Sequence, residues 1–142
     1  MTLTSDRRAD LLASTPLFAD VDTAGLAMIA ERVIEVEFET GRIIARQGDI
    51  GTGFFVIGSG AVRVVRDGHE VAHLGPGEFF GELSVLDGRP RTAQVIADAP
   101  TTCLALATWE FEAVVMAEPA VALAVLRVLA GRLRDVTEGS RH

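Results

Sequence analysis

A mainly β fold, an antiparallel sandwich or rolled barrel with helices at both ends, is predicted from three features of the sequence. Residues 34–108 form a series of short apolar or alternating runs, each bounded by glycine, proline or Asp-Gly. Both ends of the chain switch to helical spacing of their apolar residues. The composition, with Gly 14 and Pro 5 spread through 142 residues of which 49% are apolar, calls for many turns around one core and argues against low-complexity disorder. A chain of this length buries roughly two-thirds of its unfolded surface, so one domain is expected over 1–142.

Residues 5–13 carry the first helical segment, with a capping candidate in Ser5 and with Leu11 and Leu12 on the segment. Pro16 interrupts it, because proline removes a donor and restricts the residue before it. Asp22 or Thr23 opens a second helix with Leu26, Ile29 and Val33 at helical spacing. From Val33 the period becomes two: Val33, Glu35, Glu37 and Glu39 alternate with Ile34, Val36 and Phe38, which suits a strand with one face to solvent. Further strands are expected at 43–44, 54–57, 61–65, 70–74, 93–96 and 103–106. Between two of them, Arg66-Asp67-Gly68-His69 predicts a tight hairpin, since Asp-Gly supplies positive φ. After Thr108 helical spacing returns over 109–116, breaks at Glu118-Pro119, and resumes from Ala120 to about Thr137. The layout is helices to residue 33, strands over 34–108, helices over 109–137 and a tail at 138–142.

A net charge of −7 disfavours direct binding to nucleic acid, where phosphate neutralisation dominates. All thirteen cations are arginine, which a GC-rich coding bias explains without invoking a site. The single cysteine, Cys103, lies in an apolar strand and reads as a buried structural thiol in a reducing, cytoplasmic setting. No stretch reaches the ~18 uncharged apolar residues of a membrane span, and the N-terminus shows no cleavable leader pattern. His69, His73 and His142 have no metal-ligand spacing and no nucleophile beside them, so neither a catalytic site nor a metal site is expected.

The segment from Gly75 to Ala93 departs from its surroundings. Gly81 precedes a short helix-compatible run from Glu82 to Leu86, and an Asp-Gly-Arg-Pro loop then leads to Arg91. Glycine ahead of a helical turn lets main-chain N–H groups approach an anion, and a helix start adds partial positive charge. Arg91, directed by Pro90, can close on the same anion with a bidentate pair. A carboxylate at the rim, Glu82, repels phosphate unless it serves another part of the ligand, and a ribose hydroxyl resolves that conflict. On these residues alone Arg91 also suits a surface bridge to Glu82 or Asp87, an interaction worth little.

With the whole pattern in view, the segment resembles the phosphate-binding cassette (79–93) of the cyclic nucleotide-binding domain family, the β-roll of catabolite activator and protein kinase A regulatory subunit type. The matching residues are Phe79-Phe80-Gly81-Glu82-Leu83-Ser84-Val85-Leu86 followed by Pro90-Arg91-Thr92-Ala93, with Gly41-Arg42-Ile43-Ile44-Ala45-Arg46-Gln47-Gly48-Asp49 and Phe55-Val56-Ile57-Gly58-Ser59-Gly60 resembling its first-half signatures. The resemblance spans nearly the whole chain and implies an eight-stranded, jelly-roll-like β-roll, with a short phosphate-binding helix and C-terminal hinge helices. It implies a sensor without catalysis or cofactor, whose ligand is cAMP or, alternatively, cGMP. Glu82 is then expected on the ribose 2′-hydroxyl and Arg91 on the cyclic phosphate. The main-chain amides of Leu83 and Ser84, with Thr92, would complete the seat at Gly81 and Ala93, and Val64, Val71 and Ala72 would pack around sugar and base. Thr92 leaves the nucleotide open, since its hydroxyl suits a phosphate oxygen or the 2-amino group of a syn guanine, and resemblance to cAMP sensors favours cAMP.

The last helix is apolar nearly all round at its start and charged later, so several of its sides require cover. Leu126, Leu129, Leu133 and Val136 form a 3-4-3 seam that suits a homodimer or packing on the chain's own roll. Arg134 and Thr137 are the base-facing candidates that the resemblance implies. No helix-turn-helix follows Thr137, so the expected output is an effector protein or an output domain outside this chain. The competing reading is a ligand-blind interaction module that keeps the roll and binds a protein partner.

Overall fold

The computed structural model describes residues 4–49, 53–81 and 90–139. Its first helix, α1 (Ser5–Ala13), is capped one residue earlier than the sequence suggests: the Thr4 hydroxyl accepts from the Arg7 N–H at 3.2 Å. Asp22 caps α2 (Thr23–Arg32) by accepting from the Gly25 N–H at 2.7 Å. The proline break between them holds Thr15 buried, its hydroxyl accepting from the Leu17 N–H at 3.2 Å.

Eight strands follow among the described residues: β1 (Ile34–Phe38), β2 (Ile43–Ala45), β3 (Gly53–Ser59), β4 (Val62–Arg66), β5 (His69–Leu74), β6 (Phe79–Phe80), β7 (Gln94–Ala97) and β8 (Thr101–Ala107). They pair antiparallel throughout, in two four-stranded sheets ordered β1-β8-β3-β6 and β2-β7-β4-β5. This is the mainly β, rolled architecture expected. The hairpin forms where Asp-Gly predicts it, with Asp67 at φ 52 and Gly68 at φ 81 as its two central residues. Val33 ends α2 rather than starting β1, and Ile34 is 64% exposed where alternation placed it inward. Ile34 begins an edge strand, which has a neighbour on one side only.

Side chains of the first sheet alternate between two cores. Phe54 and Val56 on β3, Phe79 on β6 and Leu104 and Leu106 on β8 pack against the helices with Phe18, Ile29, Phe111 and Val121. Phe54 sits at the centre, with ring centroids 6.2 Å from Phe18, 5.6 Å from Phe79 and 4.9 Å from Phe111. Ile57, Phe80 and Cys103 point the other way, into the roll, and meet Ala45, Val62 and Val95 of the second sheet. Among these, each fully buried Val, Ile, Leu or Phe side chain, such as Phe54, Ile57 and Phe111, contributes roughly 1.5–3 kcal/mol.

Two helices close the chain, α3 (Thr108–Ala117) and α4 (Pro119–Gly139), bent by 111° about Glu118. Pro119 begins α4, where its missing N–H costs no helical hydrogen bond. Phe111, Val114, Val121, Ala124 and Val125 hold the pair against the helical core, and Arg32 of α2 meets Glu110 of α3 at 2.6 Å. Leu129 turns partly inward, whereas Leu126 and Leu133 are 63% and 68% exposed. The expected seam is therefore split between two faces, and the side chain of Val136 lies outside the description. Among the described residues no single helix is long and apolar enough to cross a membrane.

Candidate functional site

The site is built where the two sheets approach each other. Gly81 directly follows β6 of the first sheet, and Arg91 leads into β7 of the second. Gly81 has φ 97, and a Cβ there would stand 2.7 Å from the Gly53 carbonyl oxygen and 3.1 Å from Nη1 of Arg91. Only glycine fits both the backbone conformation and the space.

Arg91 is fastened at its backbone and its head. Its N–H donates to the Asp49 carbonyl at 2.7 Å, and its own carbonyl accepts from the Gly48 N–H at 2.9 Å. Its Nη2 donates to the Gly53 carbonyl at 2.9 Å. Burial lowers the affinity of the guanidinium for its proton below the ordinary arginine value, yet the group stays cationic at neutral pH. A half-buried cation with five N–H donors, one of them on Gly53 among the described partners, is disposed to take an anion. It borders a cavity of about 220 Å³ whose walls include Ile44, Ala45, Phe55, Arg46 and Asp49.

Val64 lies between Ala72 on β5 and Val95 on β7 in register and packs with the roll's inner core. Ala72 and Ala93 are half-buried, and Thr92 is exposed. Val71 is not brought together with them. The β4–β5 register passes from Val64 opposite Ala72 to Val65 opposite Glu70, so Val71 is the extra residue of a bulge and is 50% exposed. Arg134 and Thr137 stand on the exposed last turns of α4, with the Thr137 hydroxyl donating to the Leu133 carbonyl at 2.9 Å. Glu82, Leu83 and Ser84, and with them the helix-compatible run, lie outside the described residues.

Sequence reasoning missed the partners that hold Arg91. The Gly53 carbonyl is 38 positions away, and main-chain acceptors leave no mark on residue identity. A larger open groove of about 740 Å³ lies between Glu37, Thr40, Ser59 and Thr102, near the opposite end of β3 from Gly53. It contains none of the residues expected to bind ligand and no arginine, so Arg91 marks the better anion site.

Residues 35–118 match the family model described as the cyclic nucleotide-binding domain, and the chain belongs to that family. Its fold is that of a crystallised catabolite activator protein from Thermus thermophilus, with a TM-score of 0.84 and 33% identity over 89% of this chain and 62% of that one. Among curated relatives, the chain is 40% identical over 103 residues to the cyclic AMP receptor protein of Thermus thermophilus, covering 69% of this chain and 48% of the relative. It is also 34% identical over 116 residues to a cyclic nucleotide-gated potassium channel of Rhizobium etli, covering 82% of this chain and 32% of the channel. The chain thus spans half or less of the length of these curated relatives.

Proposed function

We propose that this domain binds a cyclic nucleotide, cAMP in preference to cGMP, and passes occupancy through α3 and α4 to a partner protein or output segment. The observation that carries the reading is Arg91: a half-buried cation, tied at its backbone to the Gly48–Asp49 turn, beside a glycine that no other residue can replace. In this reading Arg91 pairs the cyclic phosphate, the amides of Leu83 and Ser84 with Thr92 complete the seat, and Glu82 accepts the ribose 2′-hydroxyl. Val64 and Ala72 face sugar and base, Ala93 stays with Gly81 at the seat, and the base draws little specificity from hydrogen bonds. The preference for cAMP is supported by the named specificity of the Thermus thermophilus relative. The buried, protonated Cys103 fits a reducing cytoplasm.

Calorimetric titration with cAMP and with cGMP, repeated on Arg91→Ala, tests the proposal. Truncating one partner of a desolvated charge pair costs on the order of 2–5 kcal/mol, a loss of roughly 30-fold to several thousandfold in affinity. Binding to neither nucleotide would reject the sensor and leave an interaction module. The 63% and 68% exposure of Leu126 and Leu133, seven residues apart on α4, favours a protein partner in either case, with a second copy of this chain as the first candidate. Sedimentation of the wild type and of Leu126→Ser/Leu133→Ser decides it: a dimer that the double variant dissociates supports the pairing.

A further inference from the structure

Gln47 spans two turns. It occupies the second position of the turn that Asp49 closes by donating its N–H to the Arg46 carbonyl at 3.3 Å, with Gly48 at φ 91 in the third position. Its side-chain amide reaches the hairpin tip twice: Nε2 donates to the Asp67 carboxylate at 2.8 Å, and Oε1 accepts from the Asp67 N–H at 3.0 Å. The second sheet runs β2-β7-β4-β5, so the turn after β2 and the tip of β4–β5 flank the strand between them, β7. Ala45 opposes Val95, and Val65 opposes Gln94. The Gln47–Asp67 pair therefore closes over the place where the Arg91–Ala93 segment enters the sheet, and the turn it holds carries both main-chain bonds to Arg91.

We infer that Gln47 and Asp67 are positioning residues for Arg91: their two hydrogen bonds hold the Gly48–Asp49 turn against the hairpin, and the turn fixes the backbone from which the guanidinium projects. The inference rests on the reading of Arg91 as the phosphate contact. β2 is a three-residue edge strand whose pairing with β7 is irregular between Ile43 and Ala45, so it restrains the turn weakly without the latch. The Gln47 amide, unlike a carboxylate, can donate to Asp67 and accept from it at once.

The test combines titration with cAMP, amide hydrogen exchange of the ligand-free protein and thermal melting, on wild type, Gln47→Ala and Asp67→Asn. Gln47→Ala should bind cAMP about three- to tenfold more weakly, the scale of one to two hydrogen bonds, with faster exchange at the Gly48 and Arg91 amides and a melting midpoint close to wild type. Asp67→Asn keeps an acceptor oxygen and tolerates positive φ, so it should bind like wild type. Unchanged affinity in Gln47→Ala overturns the inference, as does an affinity loss that accompanies a lowered melting midpoint and raised exchange throughout the chain. Failure of the wild type to bind cAMP overturns the functional reading instead, and unchanged exchange at Gly48 and Arg91 in Gln47→Ala then still rejects the latch.

Discussion

Nη2 of Arg91 lies 2.9 Å from the carbonyl oxygen of Gly53, and a methyl group on Gly81 would stand 2.7 Å from that same oxygen. One main-chain acceptor thus organises three segments distant in sequence: the start of β3, the end of β6 and the lead into β7. The bond satisfies a carbonyl at the head of the sheet while holding the guanidinium in a defined place.

Gly81→Ala should damage this junction. The new Cβ meets a main-chain oxygen that belongs to β3, and the φ of 97 is strained for alanine by about 1–3 kcal/mol. The expected result is a lower melting midpoint together with weaker cAMP binding, read by calorimetry and titration on the same preparation. Wild-type values for both would show that β3 and β6 adjust freely.

Arg91→Lys keeps the charge but replaces a planar fork with a point donor. Lysine lacks the planar pair of parallel N–H donors that matches two oxygens of one anion while another N–H bonds Gly53. Affinity for cAMP should fall by about 1.5–3 kcal/mol, roughly ten- to hundredfold, with melting little changed. Retained affinity would mean that charge alone recruits the ligand.

Thr101→Val tests the far end of β3. Thr101 is 2% exposed, its hydroxyl accepts from the Ala61 N–H at 3.3 Å, and it lies 3.1 Å from the Ala61 carbonyl and 2.8 Å from that of Ala99. Valine fills the same volume and removes the hydroxyl's bonds to the Ala61 N–H and the Ala99 carbonyl, while the Ala61 carbonyl keeps the Asp98 N–H at 2.9 Å, at a cost of about 1–3 kcal/mol. A fall of roughly 3–10 °C in melting midpoint is expected, with cAMP affinity retained.

Cys103 should impose an alkaline limit on stability. Burial pushes its thiol up to about 12 from 9.0. The unfolded chain releases this proton above pH 9.0 while the folded chain retains it, so stability is intact below that value and declines as pH rises towards about 12. Chemical unfolding from pH 8 to 11 should show a decline that Cys103→Ala lessens. In the folded wild type the thiol should resist disulfide reagents at pH 8 and react once denatured. A fast reaction in the native protein would contradict its burial.

The strands and hairpin were legible because alternation and Asp-Gly are local signals. Phe79–Phe80 was not read as a strand, since two residues carry no period. The bulge that exposes Val71 is a slip in pairing between strands, which neither strand's own residues encode. The leucine stripe of α4 could face either way by spacing alone, and contact with the helical core turns Leu129 inward while Leu126 and Leu133 stay out. In the site, Gly81 and Arg91 stood out by residue type. The carbonyls that hold Arg91 did not, because every residue carries one.

The first sheet acts as a bulkhead. Phe54 and Val56 answer to the helices, while Ile57 and, in part, Phe55 answer to the interior of the roll where Arg91 borders its cavity. Neighbouring positions on one strand therefore serve separate compartments. Volume changes at 54 or 56 will be absorbed on the helical side and those at 55 or 57 on the ligand side. Movement that crosses between the compartments must travel through the hydrogen-bonded backbone of β3 and β8, or around their ends, where Gly53 meets Arg91 and β8 runs on into α3.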